Sequence, residues 1–116
     1  MFFDSKTTSK HIVEYKPDDA YAALLGAFKY FDNCKIKASD ESLHTISAET
    51  DSSWQTWGEK MTIAVNPHGE AASEIVITSA LKRGLFDWGR NQKNIDKLID
   101  LLSYELPKYK KRGKKK

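Results

Sequence analysis

The chain has 116 residues, 40% of them hydrophobic and 30% charged, with a net charge of +3. That length suits one domain with one modest core. No run of 18 apolar residues is present, which excludes a membrane-spanning helix, and the opening MFFDSKTT has no apolar stretch of the kind a signal peptide needs.

In chain order, HIVEY (11–15) reads as a short strand closed by Pro17, because the residue before a proline avoids helical geometry. PDDAYAALLGAFKYFD then predicts a helix. Pro17 suits the first helical position, and Asp18 and Asp19 suit the positive end of the helix dipole. Tyr21, Leu24, Leu25, Phe28 and Phe31 recur at helical spacing, and Ala23, Gly26 and Ala27 beside them permit close packing on a sheet.

Four strands are expected next. In CKIKAS, Cys34, Ile36 and Ala38 alternate with Lys35 and Lys37, and in LHTISAET, Ile46 and Ala48 face inward. DES (40–42) is a turn and DSSWQT a loop. WGEKMTIAV alternates Trp57, Met61, Ile63 and Val65 against Lys60 and Thr62. NPHGE is a hairpin turn by composition, and SEIVITS is rich in β-branched residues. In the C-terminal segment, Ile95, Leu98, Ile99, Leu102 and Leu106 share one helical face. Trp88 and Asn91 join that face if the helix reaches back to them, with Asp87 as N-cap and Gly84 and Gly89 serving the strand-to-helix corner.

The order β-α-β-β-β-β-α predicts an α+β fold: a curved antiparallel sheet with both amphipathic helices on one face. The opposite face carries Lys35, Lys37, Thr45, Ser47, Lys60, Thr62 and Thr78, with none of the aromatics by which sheets stack bases, and reads as a plain solvated face. Residues 1–107 are expected to form the domain and 108–116 a disordered tail.

The element order, over residues 11–106, resembles that of the TATA-box-binding-protein-like fold group. SALKRGLFDWGRNQKNIDKLIDLL (79–102) resembles the C-terminal signature of small bacterial domains of unknown function, in which a G-x-x-D-x-G-x-N corner precedes an I-x-x-x-x-x-L helix. The paired arginines often found after the strand there are absent, with Lys82 and Arg83 nearby. The resemblance implies the fold and carries no activity.

Chemistry is sparse. His11, His44 and His68 lack the spacing and the third donor of a metal site, so no metal or cofactor is expected. Cys34, the sole cysteine, excludes an internal disulfide, which fits a reducing, cytoplasmic setting, and its inward parity reads as a buried thiol. Ser47, Ser53 and Ser79 lack a nucleophile-elbow context, and no phosphate-cradling glycine loop is present. Trp54, Trp57, Phe86 and Trp88 cap the core or line a ligand or partner surface.

The strongest signal is charge. Lys108, Lys110, Lys111, Arg112, Lys114, Lys115 and Lys116 leave residues 1–107 with a net charge of −4. Such a segment attracts polyanions, through phosphate neutralisation on nucleic acid or through an anionic membrane surface. The resulting expectation is a non-enzymatic binding or accessory module with a polyanion-binding tail. The alternative is a small-ligand or lipid-binding domain with a pocket between sheet and helices, lined by Phe28, Met61 and Trp88.

Overall fold

The structure is a computed structural model, which describes residues 6–52, 57–83 and 89–109. Strand β1 (Lys6–Val13) leads through Pro17 into helix α1 (Pro17–Phe28). The strands β2 (Cys34–Asp40), β3 (Thr45–Thr50), β4 (Glu59–Pro67) and β5 (Ser73–Leu81) follow, then helix α2 (Arg90–Glu105) and a 3-10 turn at Leu106–Lys108. All four strand pairings are antiparallel and the sheet order is β1-β5-β4-β3-β2. The last four strands form a meander, and α1 carries the chain from one edge of the sheet to the other. Both helices pack on the same face, as the α+β pattern predicts.

Local chemistry explains most boundaries. Pro17 starts α1 after an extended Lys16 (φ −63°, ψ 153°), with Asp18 and Asp19 in the first turn. The helix ends at Phe28, earlier than its apolar spacing predicts. The chain tightens there through Lys29 N–H to Gly26 O (3.1 Å) and Tyr30 N–H to Ala27 O (3.0 Å). Phe31 stays buried and stacks on Phe28 at 5.9 Å. β1 is longer than HIVEY suggests because its eight residues pair with β5 throughout.

The core lies between the sheet and the helices. Leu24 of α1, Ile95 and Leu98 of α2, and Ile46, Met61, Ile63, Ile75 and Ile77 of the sheet are almost wholly buried. Strand alternation supplies the sheet's share and 3.6-residue periodicity the helices'. Phe28 and Met61 belong to this packed core, so the cavity expected between sheet and helices is not lined by them. Trp88, the third residue expected there, lies outside the described residues.

Three sequence expectations require correction. Ala38 was expected inward. A β-bulge between Ile36 and Ala38 inserts Lys37, so Ala38 pairs with outward-facing Ser47 and is exposed. A bulge reverses the inside–outside parity of everything after it. Trp57 was expected on the Met61 side. It precedes the strand, Gly58 (φ 100°) breaks the alternation, and the indole is 61% exposed. Helix α2 starts at Arg90 with Gly89 (φ 76°) at the N-cap position, not at Asp87. Gly84, Phe86, Asp87 and Trp88 lie outside the described residues.

Candidate functional site

Two features on opposite faces of the sheet concentrate polar chemistry. The first is buried. The inward positions of the sheet end carry Thr50, Glu59 and Ser79 where apolar residues would complete the core, and Arg90, Asn91 and Asn94 from the start of α2 face them. Glu59 Oε1 accepts from Thr50 Oγ1 (2.9 Å) and Asn94 Nδ2 (2.9 Å), and Oε2 accepts from Arg90 Nε (2.9 Å). Ser79 Oγ donates to Asn91 Oδ1 (2.8 Å) and lies 3.1 Å from Asn94 Nδ2. The Glu59 backbone N–H donates to Thr50 Oγ1 at 2.8 Å.

Among the described residues no buried side-chain nitrogen or oxygen lacks a partner. A network of this kind fixes geometry: it clamps α2 onto the sheet. Cys34 lies behind it, 3.8 Å from Met61 Sδ. Burial first, then the charges of Glu59 and Asp51, push the thiol from 9.0 up to about 12, so Cys34 is the inert buried thiol its parity implies.

The second feature is open. The face away from the helices is hollowed into a trough of about 630 Å³, lined by Ala38, Thr45, Ser47, Lys60, Thr62, Ala64, Val76 and Thr78, with Asp40 at one end. Register explains the hollow. Thr78, Thr62, Ser47 and Ala38 stand side by side across four strands, and Val76, Ala64 and Thr45 form the adjacent row. Every one of these side chains is small, so the floor is low and carries methyl groups and hydroxyls together. Thr8 Oγ1 continues the first row to β1, 3.1 Å from Thr78 Oγ1. Outward parity alone predicts a plain solvated face here, and the hollow departs from it. Ala64 and Val76 were legible as outward by their parity with Ile63 and Ile77, but Ala38 was hidden by the bulge.

Smaller hollows flank the helices. One of about 330 Å³ lies between β1 and α2, where His11 Nε2 is 2.9 Å from Ser9 Oγ and Ile95 and Ile99 form the wall. Another of about 260 Å³ is bounded by Phe31, Asn33, Arg90, Lys93 and Lys97. His44, at φ 55°, meets Asp18 Oδ1 at 2.7 Å and lies edge-on to Tyr21. Among the described residues no three His, Cys, Asp or Glu side chains converge as a metal site.

Of the basic tail residues, Lys108 closes the 3-10 turn and pairs with Glu105 Oε2 at 3.1 Å, and Tyr109 packs against the core. Lys110, Lys111, Arg112, Lys114, Lys115 and Lys116 lie outside the described residues, as do Trp54, Phe86 and Trp88. Trp57 is described and exposed, with the Arg83 guanidinium 5.2 Å from its ring centre.

No protein-family model matches the sequence, and no curated protein matches it. Solved structures do match the fold. The di-domain aromatase/cyclase StfQ of the steffimycin biosynthetic pathway superposes with a TM-score of 0.67 at 8% identity, over 88% of this chain and 45% of that one. This chain therefore spans a little under half of that protein. Norcoclaurine synthase from Thalictrum flavum, solved with dopamine and hydroxybenzaldehyde, superposes at 0.64 with 10% identity over 92% of this chain and 88% of that one. The Zhui aromatase/cyclase from Streptomyces sp. R1128 gives 0.55, 10% identity and 88% coverage of both chains.

At such identities the likeness shows the fold alone: an antiparallel sheet gripping a C-terminal helix, of the helix-grip kind. It nevertheless overturns the expectation of a non-enzymatic accessory module. That expectation rested on charge and on the lack of a catalytic motif, whereas these structural neighbours are named for catalysis on small molecules. A fold does not dictate activity, and the absence of a linear motif is equally silent. Among the described residues, no helix is long and apolar enough to cross a membrane.

Proposed function

We propose that this chain is a small-molecule-binding domain whose ligand lies in the trough on the helix-free face of the sheet. The observation that carries the reading is the trough itself. Its volume of about 630 Å³ is that of a typical small-ligand site, and its mixture of apolar floor and few polar groups is the usual composition of one. Ala38, Ala64, Val76 and the threonine methyls supply contact area. The hydroxyls of Thr45, Ser47, Thr62 and Thr78 and the ammonium of Lys60 orient the ligand. That a structural neighbour of this fold was solved with two small aromatic molecules supports the ligand class.

The test is a titration of the full chain with 2-naphthol, followed by amide chemical shifts. Saturable shifts at Ser47, Thr62, Ala64, Val76 and Thr78, abolished in an Ala64→Trp variant that fills the floor, are expected. Shifts confined to Ile95, Ile99 and Ser103 would relocate the site to the seam between β1 and α2, and an absence of saturable shifts would sink the proposal.

A further inference from the structure

The trough is not symmetric in charge. At one end stands the Asp40 carboxylate, held by Ser42 Oγ (2.7 Å) and the Leu43 N–H (3.1 Å). At the other end Lys60, Glu49 and Lys35 form the next row of the sheet. From Thr45 to Glu49 is four residues of strand, about 13 Å at the usual rise. Beyond that row the floor opens into a second hollow of about 390 Å³, lined by Lys35, Lys37, Glu49, Asp51, Trp57 and Lys82 among others.

Across that row and the hollow, the four lysines Lys35, Lys37, Lys60 and Lys82 face the two acids Glu49 and Asp51. Lys82 is taken up by Glu49 at 3.1 Å, while the side chains of Lys35, Lys37 and Lys60 have no hydrogen bond or ion pair among the described residues. Strand alternation puts Lys35 and Lys37 on the same face, and the bulge turns Ala38 out beside them. Trp57 adds a flat, exposed ring carrying Arg83.

We propose that the ligand of the trough is an amphipathic anion, with its apolar body along Ala38, Ala64 and Val76 and its acid group among Lys35, Lys37 and Lys60. The inference rests on the trough being a ligand site and adds the class and the orientation of the ligand. Apolar area alone leaves an elongated molecule free to lie either way round. The opposed signs at the two ends remove that ambiguity, because an acid at the Asp40 end is repelled and one at the lysine end is attracted.

The experiment compares 2-naphthoate, 2-naphthol and 2-naphthylmethylammonium on the full chain. Naphthoate is expected to bind about tenfold more tightly than naphthol at low salt, as two exposed ion pairs allow. Added salt should shrink the difference, since exposed charges are screened. The amides of Lys35, Lys37 and Lys60 should shift with the acid and not with the alcohol, and a K35Q/K37Q variant should bind naphthoate no better than naphthol. Equal affinities, a preference for the ammonium, or a preference for naphthoate that survives K35Q/K37Q would overturn the inference while leaving a trough that binds naphthol. Failure of all three probes would remove the ligand site itself. Capture on phosphatidylglycerol vesicles without binding of monomeric naphthoate would overturn it in favour of a membrane surface.

Discussion

Cys34 shows how burial decides reactivity. Its side chain is 1% exposed beside Met61, and desolvation disfavours the thiolate. The thiol should resist a disulfide reagent in the native state and react on unfolding, and rapid native labelling would contradict the assignment. The same shift predicts a pH dependence. The folded thiol holds its proton up to about 12 against 9.0 ordinarily, so above pH 9 the unfolded chain binds fewer protons than the folded one. This contribution to stability is therefore intact below about pH 9 and is lost as pH climbs through that window. Denaturation midpoints of the wild type and Cys34→Ala should diverge there, with the wild type losing more.

Gly58 is a second single-residue determinant. At φ 100° it occupies backbone space that side chains avoid, and a Cβ there would stand 2.7 Å from the Thr50 carbonyl oxygen. That contact is with backbone and cannot be relieved by a rotamer. Gly58→Ala should destabilise by about 1–3 kcal/mol, measured by urea denaturation. Gly69 (φ 77°), which has open space around it, should tolerate alanine better despite a similar φ.

Between elements, the clamp of Glu59, Arg90, Asn94, Ser79, Asn91 and Thr50 joins β3, β4 and β5 to the first turns of α2. Glu59 is 0% exposed and Arg90 19%. Removing one member of a buried pair strands the other, so Glu59→Ala should cost about 3–5 kcal/mol. The two singles and the Glu59→Ala/Arg90→Ala double form a cycle, in which a coupling of about 0.5–3 kcal/mol is expected. Strict additivity would show that the pair is not coupled. Part of this clamp was readable in the sequence. Glu59 has the inward parity of Met61, Ile63 and Val65, Ser79 that of Ile75 and Ile77, and Asn91 shares the face of Ile95 and Leu98. The meeting of Arg90 with Glu59, 31 residues away, was not readable, because the distance between them is set by packing.

Across the whole molecule, the two faces of the sheet divide the labour. One face is spent on the helices and the core, and the other is left open and carries the trough. If the trough binds ligand in the native state alone, naphthol at a hundredfold excess over its Kd should raise the unfolding free energy by about 2.7 kcal/mol. The Ala64→Trp variant should show no such rise, and an equal rise in both would place the ligand elsewhere.

What the sequence by itself determined is local. The alternation in KMTIAV and SEIVITS, the 3.6-residue spacing in AYAALLGAF and NIDKLIDLL, Pro17 at a helix start and the turn at NPHGE were enough to specify the elements, their order and the helix-bearing face. Periodicity is a property of neighbours in the chain, and it survives wherever one face is buried. Only the tertiary structure decided the rest: that β1 lies beside β5, that a bulge turns Ala38 outward, that Gly58 turns Trp57 to the surface, and that a row of small side chains lies in register across four strands. Each of these depends on pairing between distant segments. Pairing is governed by packing and hydrogen-bond register, and one inserted residue reverses every parity that follows it.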